Sequence, residues 1–173
     1  MIHPKDAIKF CPYCGSEKFK FRNDLSFICT KCDKELFINA ASSVVAVIYD
    51  DQRRLLFCTR GRDPHKGMLD LPGGFIDPGE TAEIALHREM KEELGKNVIS
   101  HSYLGSYTNE YPYGGLTYYT LDLVFECKLD SYENISAMDD VSAVEFISPE
   151  TVDIDSIGSE SIKNIVKSII KKN

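Results

Sequence analysis

A helix-forming segment near the middle of the chain carries three carboxylates that could bind a metal ion. Strong helix formers follow Thr81, which is a good N-cap, and Gly95 stands where a left-handed residue commonly ends a helix. Spacings of three and four residues place Glu89, Glu92 and Glu93 on one helical face, where their like charges repel. Clustered carboxylate oxygens suit a hard cation such as Mg²⁺ or Mn²⁺. A solvated acidic surface would show the same spacing, so the neighbouring sequence decides between the two interpretations.

A turn-rich segment leads directly into the acidic helix. Residues 71–74 (LPGG) cannot continue a regular strand or helix, because proline lacks a donor and paired glycines favour turns. Residues 77–79 (DPG) are a second turn signal. Arg88 and Lys91 could neutralise the carboxylates locally, but we expect both to point away from the acidic face. A glycine turn that feeds an uncompensated acidic helix favours a site for a metal ion and phosphate.

The spacing of charged and glycine residues through this segment resembles the signature of the Nudix hydrolases. The residues that carry the resemblance are Gly74, Glu80, Arg88, Glu89, Met90, Glu92, Glu93 and Gly95. Lys96 stands where that family usually has an aliphatic residue, which bears on packing at the helix end. The resemblance implies the Nudix fold, an α+β architecture in which a mixed β-sheet is sandwiched between α-helices.

The resemblance also assigns roles to the charged residues. The ligands that it implies for a divalent cation are Glu89, Glu92 and Glu93. Arg88 and Glu80 would pair and brace the glycine turn against the helix, and together with Glu92 they form the implied catalytic set. The implied reaction is attack of water on a pyrophosphate phosphorus, in which positioning and charge neutralisation lower the barrier.

The general base and the backbone contacts follow from the same resemblance. The backbone at Gly73 and Gly74 is implied to contact metal or phosphate. The general base varies within the family; in this chain Glu92 is the first candidate and Glu110, in a later segment, is the second.

Two C-x2-C pairs near the N-terminus have the spacing of a zinc ribbon. The four candidate Zn²⁺ ligands are Cys11, Cys14, Cys29 and Cys32. The hairpin expected between the pairs has alternating apolar residues at Phe19, Phe21, Leu25 and Phe27. A segment of this size has too small a core to fold alone, so we expect a structural zinc ion to hold it. Four thiolate ligands would close the site, which makes it structural rather than catalytic.

Composition indicates one ordinary domain with a small appendage. The 173 residues are 43% hydrophobic and 27% charged, with a formal charge of −7. The first 40 residues carry seven Lys/Arg against five Asp/Glu, so the acidic excess lies in the rest of the chain. An acidic body disfavours non-specific binding to nucleic acid. The chain shows no N-terminal signal and no apolar run of about 20 residues, so we expect a cytoplasmic protein without a membrane or nucleic-acid partner.

Hydrophobic patterns predict several strands and a closing helix. The predicted strands are 43–49, with 55–59 as its hairpin partner, and then 98–107, 118–129 and 144–147. We expect 36–41 to be a linker and 111–115 to be a turn-rich loop. The apolar residues at helical spacing near the C-terminus are Ile162, Ile165, Val166, Ile169 and Ile170. They predict a helix that covers the sheet, with Lys163, Lys167, Lys171 and Lys172 at other positions; a basic helix on a membrane surface is the alternative.

Residues outside the signature are candidate substrate contacts. Arg60 and Arg62 lie at the end of a predicted strand, where each faces either solvent or a phosphate. His65 is expected to be a surface residue. Tyr111 belongs to a set of tyrosines that could stack on a nucleobase or lie half-buried on strands. The set is Tyr107, Tyr111, Tyr113, Tyr118 and Tyr119.

A zinc ribbon before a Nudix signature is similar to the NADH pyrophosphatases, which cleave dinucleotides and usually form homodimers. The segment 107–115 (YTNEYPYGG) does not match the Gln-Pro-Trp-Pro-Phe-Pro segment of those enzymes. NADH, ADP-ribose, nucleotide sugars and nucleoside triphosphates therefore all stay open as substrates.

We expect a Mg²⁺-dependent hydrolase that cleaves the pyrophosphate bond of a nucleoside diphosphate linked to another moiety. Residues 1–39 would form the zinc ribbon and residues 40–173 the Nudix domain. The alternative is a non-catalytic Nudix domain that senses a ligand, with the ribbon as a module that binds a partner or nucleic acid. The intact carboxylate set argues against that alternative.

Overall fold

The computed structural model of the protein describes residues 2–23 and 26–171. Leu25 and Lys172, which enter the sequence predictions for the ribbon hairpin and the last helix, lie outside the described residues. The described elements in chain order are α1 Pro4–Ala7, β1 Phe19–Arg22, β2 Ser26–Cys29, β3 Glu35–Phe37, β4 Ala41–Ile48, β5 Leu55–Arg60, β6 Leu69–Asp70, β7 Gly73–Phe75, α2 Ala82–Leu94, β8 Val98–Tyr113, β9 Leu116–Leu129, β10 Val141–Ile147, a 3-10 helix Ile154–Ser156 and α3 Glu160–Ile170. None of these helices is long and apolar enough to span a bilayer.

The first three strands form a small antiparallel sheet in the order β1-β2-β3. β1 and β2 make the predicted hairpin, in which Phe19 pairs with Cys29 and Phe21 with Phe27. β3 adds to the free edge of β2, so the prediction that 36–41 is only a linker is wrong for its first residues. The added strand covers a backbone edge beside the buried Phe27 that would otherwise stay unpaired.

The remaining strands form two sheets, in the orders β7-β4-β9-β8 and β10-β5-β6. β4 runs parallel to β9 and antiparallel to β7, so the larger sheet is mixed, as expected. The prediction that 55–59 is the hairpin partner of the preceding strand is wrong. Both edges of β4 are taken by β7 and β9, so β5 pairs instead with β10 and β6 in the second sheet. A single bridge between Tyr49 and Leu55 marks where the chain crosses over.

The two longer helices pack on opposite faces of the larger sheet, because successive residues of β4 point to opposite sides. Val44 and Ala46 share a core with Leu86 of α2. Val45 and Val47 share a second core with α3. The residues of α3 predicted to be apolar contacts and found buried are Ile162, Ile165, Val166 and Ile169. This arrangement is the expected sandwich of a mixed sheet between helices.

β8 and β9 form one long hairpin that extends further than predicted. The prediction of a turn-rich loop over 111–115 is wrong for Tyr111, Pro112 and Tyr113, which lie in β8 and pair across to β9. Gly114 and Gly115 alone make the turn, with φ values of 58° and 82° that suit a two-residue hairpin connection. Pro112 is tolerated because β8 is an edge strand of its sheet.

Candidate active site and metal centres

The acidic helix is held at both ends by the predicted caps. The Thr81 hydroxyl accepts a hydrogen bond from the backbone N–H of Ile84 at 3.3 Å. Gly95 ends α2 in the left-handed conformation, with φ 66° and ψ 17°, and its N–H returns to carbonyls of the last turn. Packing of Leu86, Met90 and Leu94 in the core sets the rotation of the helix, which buries Glu93 and leaves Glu92 exposed.

The acidic face of α2 forms one wall of a cleft of about 370 Å³. The other walls come from β4, β5, β6, β7 and β9, the tip of β8 and the start of α3. The carboxylates that line the cleft are Asp70, Asp77, Glu89, Glu92, Glu93, Asp122, Asp139 and Asp140. The guanidinium groups that line it are those of Arg60, Arg62 and Arg88. Eight carboxylates against three arginines make this cleft unsuited to a polyphosphate unless cations enter with it.

Glu93 is the most deeply placed carboxylate of the helix, with 8% of its surface exposed. Its Oε2 accepts a hydrogen bond from the backbone N–H of Gly73 at 2.9 Å, which ties the helix to the glycine turn. Burial raises the pKa of Glu93 to about 8, with further contributions from the charges of Glu89, Asp70 and Asp140. Burial also raises the pKa of Glu89. Both groups would be stabilised as carboxylates by a bound cation.

Without a bound cation, the protein is expected to lose stability as the pH rises, because of Glu93. A glutamate of the unfolded chain has a pKa of about 4.3, so between about pH 4.3 and about pH 8 the folded state keeps a proton that the unfolded state has lost. The stabilising contribution of protonated Glu93 is full below this window, falls through it and is lost above it. Thermal unfolding in Mg²⁺-free buffer, without a chelator that would strip zinc, should depend more steeply on pH in the wild type than in Glu93→Gln. Parallel pH profiles would contradict this.

Arg88 lies among the carboxylates rather than away from them. It donates from Nε and Nη2 to the two carboxylate oxygens of Glu80, each at 2.8 Å, and from Nη2 to the carbonyl of Phe75 at 2.9 Å. Its Nη1 also donates to Glu89 at 2.7 Å and to Glu92 at 3.0 Å. The implied pair with Glu80 is therefore present, and these bonds, with one from the N–H of Asp77, lower the pKa of Glu80 to about 2.

The expectation that Arg88 points to another face is wrong. Its long side chain bends back along the helix, because the loop residue Glu80 and the carbonyl of Phe75 draw the guanidinium toward the glycine turn. From that position one nitrogen reaches both Glu89 and Glu92. Arg88 thus holds the loop, the turn and the acidic face together.

Replacing Arg88 with glutamine should lower both stability and turnover, because three carboxylates lose their shared cation. We expect the free energy of unfolding to fall by about 1–3 kcal/mol and kcat/KM to fall at least about tenfold. Lys91→Gln is the matched control, because it removes an exposed positive charge from the same helix, and its effect should stay within about 0.5 kcal/mol. Equal melting temperatures and rates for the two variants would contradict this role of Arg88.

The glycine turn approaches the acidic helix too closely for side chains. A Cβ on Gly73 would lie 2.1 Å from the carbonyl oxygen of Val44, and one on Gly74 would lie 2.3 Å from Oε1 of Glu89. Gly73 also has φ 148°, which L-residues rarely adopt. The two glycines therefore serve different purposes: Gly73 fits the turn against β4, whereas Gly74 leaves room for the carboxylate.

Gly74→Ala should weaken metal-dependent activity without unfolding the protein. The backbone at Gly74 does not need a positive φ, so alanine would be accepted there, but its methyl group would displace the carboxylate of Glu89. We expect the Mg²⁺ concentration for half-maximal rate to rise at least about tenfold, comparable to the loss of a positioned ligand. A Mg²⁺ titration of kcat in both proteins measures the change, and overlapping titration curves would contradict the prediction.

The four ribbon cysteines converge as a tetrahedral metal site requires. Their sulfurs all lie within 4.8 Å of one another, and the Cys11–Cys32 and Cys14–Cys29 sulfur pairs are 3.7 Å apart. A tetrahedron with metal–sulfur distances of about 2.3 Å has edges of about 3.8 Å, so the spacing fits Zn²⁺. Burial would raise the pKa of Cys29, but hydrogen bonds, chiefly from the backbone of Lys31 and Cys32, lower it to about 7. In the same cluster, a backbone hydrogen bond from Lys34 would lower the pKa of Cys32, but burial and the neighbouring thiols together raise it to about 12.

Two similar turns present these sulfurs. In each turn the N–H of the residue four positions after the first cysteine bonds back to the cysteine carbonyl: Gly15 to Cys11 at 2.8 Å and Asp33 to Cys29 at 2.9 Å. Both residues are left-handed, with φ 68° and 54°. Behind them, the stacked rings of Phe19 and Phe27, 5.0 Å apart, fill the small ribbon core.

The carboxylates of α2 do not converge in the same way. Among residues 2–23 and 26–171, the four cysteines are the group of His, Cys, Asp and Glu whose ligand atoms all lie close enough to share an ion. Glu89 and Glu92 are each bonded to Arg88 instead. Oxygen donors of Glu89, Glu92 and Glu93 fit Mg²⁺ or Mn²⁺ in type, and a cation there would compete with Arg88 for two of them.

The family model for the NUDIX domain matches residues 40–167. The chain belongs to the Nudix family. This confirms the resemblance drawn from the signature segment. A crystal structure of a NUDIX hydrolase from Nitrosomonas europaea superposes with a TM-score of 0.70 at 21% identity, covering 96% of this chain and 92% of that chain. The NUDIX domain of Shewanella oneidensis NrtR, in a cocrystal structure with ADP ribose, superposes with a TM-score of 0.63 at 22% identity, covering 79% and 90%. These similarities confirm the expected fold.

Curated relatives of this Nudix chain include proteins named NAD-capped RNA hydrolase NudC. The one from Vibrio atlanticus (strain LGP32) is 27% identical over 173 residues, which cover 98% of this chain and 61% of the relative. The one from Shigella dysenteriae serotype 1 (strain Sd197) is 31% identical over 115 residues, which cover 66% of this chain and 44% of the relative. The chain therefore spans about half the length of these curated relatives.

Of the candidate substrate contacts, Arg60 and Tyr111 both line the Nudix cleft. Arg60 donates to Asp70 at 2.7 Å and its Nη2 lies 3.4 Å from the hydroxyl of Tyr111. The five tyrosines lie in different environments. The hydroxyl of Tyr107 donates to Ser168 of α3, whereas Tyr113 and Tyr118 are exposed. Glu110 is not among the residues that line the cleft, in contrast to its neighbours on β8.

Sequence reasoning missed several acidic residues of the cleft. Asp70 comes from the short strand β6, and Asp139 and Asp140 come from the turn before β10. Arg62 contacts Asp140 at 2.7 Å and Asp139 at 3.7 Å while its side chain stays 68% exposed, so it is a solvated residue that pairs with carboxylates. No local periodicity marks these positions, and the pair Asp139-Asp140 looks like a plain turn in the sequence.

Proposed function

We propose that this protein hydrolyses the pyrophosphate bond of a nucleoside diphosphate linked to another moiety, with Mg²⁺ or Mn²⁺ held by Glu89, Glu92 and Glu93. The observation that carries the proposal is the buried Glu93 tied to the glycine turn in a cleft lined by eight carboxylates. Such a cleft repels a phosphate substrate unless cations mediate the contact, and hard oxygen donors are the ligands that Mg²⁺ prefers.

The divalent cation would neutralise charge on the phosphoryl oxygens and lower the pKa of an attacking water. The protein contributes position and proton transfer. The Gly73 N–H fixes Glu93, and Arg88 fixes Glu80 and the turn around Phe75. Glu92 is the better candidate for the general base because it lines the cleft, whereas Glu110 does not.

Substrates with a nucleoside diphosphate core fit the proposal best. Two relatives are named NAD-capped RNA hydrolase, and the NAD in that name is a dinucleotide joined by a diphosphate. A cleft of about 370 Å³ holds part of a dinucleotide, and Arg60 and Tyr111 offer a cation and an aromatic ring beside it. NADH, ADP-ribose and nucleotide sugars are the members of the class to test first. We also propose residues 1–39 as the zinc ribbon and 40–173 as the Nudix domain.

A turnover panel tests the proposed function. Purified protein with Mg²⁺ should release a mononucleotide from at least one of NADH, ADP-ribose, a nucleotide sugar or NAD-capped RNA. The same panel without Mg²⁺ should show no turnover. If no pyrophosphate compound is cleaved while one of them binds, the protein is a ligand sensor and the hydrolase proposal fails.

A further inference from the structure

A second buried carboxylate lies in the cleft on the face of the sheet opposite α2. Asp122, in the middle of β9, has 6% of its surface exposed, and its neighbours Ser43 and Thr120 have 9% and 4% exposed. All three line the cleft. None belongs to the signature segment, and neither the metal site nor the general base proposed above uses them.

The protein satisfies only one oxygen of this carboxylate. The hydroxyl of Ser43 donates to Oδ1 of Asp122 at 2.5 Å, and the hydroxyl of Thr120 donates to the same Oδ1 at 2.9 Å. Within residues 2–23 and 26–171, no hydrogen bond reaches Oδ2. In that part of the chain no fully buried side-chain oxygen or nitrogen lacks a partner, so Oδ2 must keep contact with the cleft.

A carboxylate buried for structural reasons alone would have both oxygens satisfied by the protein, since an unmade hydrogen bond at a buried polar group is costly. Here two hydroxyls hold the carboxylate in one orientation and direct the free oxygen at the cleft. A phosphate would be repelled by it. An N–H or O–H donor of a ligand would be bound by it, and the bond would be stronger than one between neutral groups.

The strand register places an aromatic ring on the same side of the sheet as this oxygen, further along the cleft. Thr120 pairs with Asn109 on β8, and Asp122 pairs with Tyr107. Tyr111 is four residues beyond Tyr107 on the same face of β8, so it lies about 13 Å along the strand from the position opposite Asp122. Tyr111 and Asp122 both line the cleft, so a nucleoside stacked on the ring could extend along the cleft and bring its donors toward Oδ2.

We propose that Asp122 reads the nucleoside of the substrate, by accepting a hydrogen bond at Oδ2 from an amino or hydroxyl group. This inference rests on the proposed function for the identity of the ligand, but its test needs no cleavage. Two parts of a nucleoside carry such donors: the exocyclic amino group of the base and the hydroxyl groups of the ribose.

Calorimetric binding of mononucleotides to the 173-residue protein tests the inference. The probes are AMP, GMP, the amino-free IMP, and the 2′-deoxy and 3′-deoxy forms of AMP. Asp122→Asn keeps an oxygen for Ser43 and Thr120 but turns the free acceptor into an amide donor. Glu126→Gln is the matched control, because it removes a carboxylate from the same face of β9 outside this cleft.

One amino or hydroxyl group of the nucleoside is expected to donate to Asp122. The wild type and Glu126→Gln should bind the nucleotide that carries this group about tenfold more tightly than the counterpart that lacks it. Asp122→Asn should lose that preference and, if the amino group is read, should bind IMP more tightly than AMP or GMP. If AMP or GMP binds more tightly than IMP, the donor is the amino group of the base. If AMP binds more tightly than one of its deoxy forms, the donor is a ribose hydroxyl. An unchanged preference in Asp122→Asn, or no saturable binding of any probe at millimolar concentration, would overturn the inference.

A crystal structure of the wild type with the tightest mononucleotide serves as a second test if Asp122→Asn does not fold. A ligand donor within hydrogen-bond distance of Oδ2 supports the inference, and a ligand that leaves Oδ2 without a donor overturns it. Failure of the proposed function is separate, since it would appear as binding of these nucleotides without turnover of any pyrophosphate compound.

Discussion

Glu93→Gln is expected to lower kcat at least about a hundredfold and, in Mg²⁺-free buffer near pH 8, to raise the melting temperature. The loss of rate follows because one charged ligand of the proposed cation is removed, which is comparable to the loss of a single electrostatic stabiliser. The gain in stability follows because a buried carboxylate with a pKa of about 8 is replaced by a neutral amide that can still accept from Gly73. About 1 kcal/mol would raise the melting temperature of a protein of this size by roughly 2–4 °C.

Opposite effects on rate and stability distinguish a functional carboxylate from a structural one. If Glu93 only held the glycine turn, glutamine would keep the rate, because its amide oxygen can still accept from Gly73. Turnover with Mg²⁺ and thermal unfolding without it measure the two effects on one sample. Unchanged turnover would contradict the metal assignment. A lower melting temperature at pH 8 would contradict the account of the buried charge.

Removing one ribbon thiolate is expected to abolish zinc binding and to unfold the N-terminal segment. The wild type should contain one zinc ion per chain. Cys29→Ser should contain none, and the resonances or protease protection of residues 8–38 should be lost. The ribbon core is small, with Phe19 and Phe27 at its centre. Structural zinc contributes an apparent ~10–16 kcal/mol to folding in such sites, which the ribbon cannot replace by packing.

Cys127→Ala is the matched control for this prediction. Cys127 is a buried thiol of β9, 2% exposed, and its replacement should leave zinc content at one per chain. Metal analysis of freshly purified, reduced proteins and limited proteolysis provide the measurements. A wild type without zinc, or a Cys29→Ser protein that keeps the ion, would contradict the ribbon assignment.

Local chemistry made parts of the structure predictable from the sequence. The ends of α2 follow from Thr81 and Gly95, whose preferences act within one turn of the helix. The cysteine pairs predict a compact cluster because each C-x2-C turn brings its two sulfurs together without help from the rest of the fold. The burial of β4 on both faces follows from its continuous apolar run, and the buried face of α3 follows from helical periodicity.

Features that depend on tertiary contacts were not predictable in this way. The partner of β5 depends on which edges of the sheet are already occupied, and β4 has none free. The direction of Arg88 depends on Glu80, eight residues away in the chain and brought close by the turn. One weak feature of the sequence marks Asp122, which is a carboxylate between the apolar Leu121 and Leu123 of a strand. Its partner Ser43 is 79 residues distant, so their hydrogen bond was not predictable.

Manganese anomalous scattering from a crystal grown with Mn²⁺ and a non-hydrolysable ADP-ribose analogue would show whether the acidic face of α2 binds a cation together with a diphosphate. We expect an ion coordinated by oxygens of Glu89, Glu92 and Glu93 and by the diphosphate, beside the turn at Gly73 and Gly74. An ion bound elsewhere, with these three carboxylates unligated and the diphosphate outside the cleft, would contradict it.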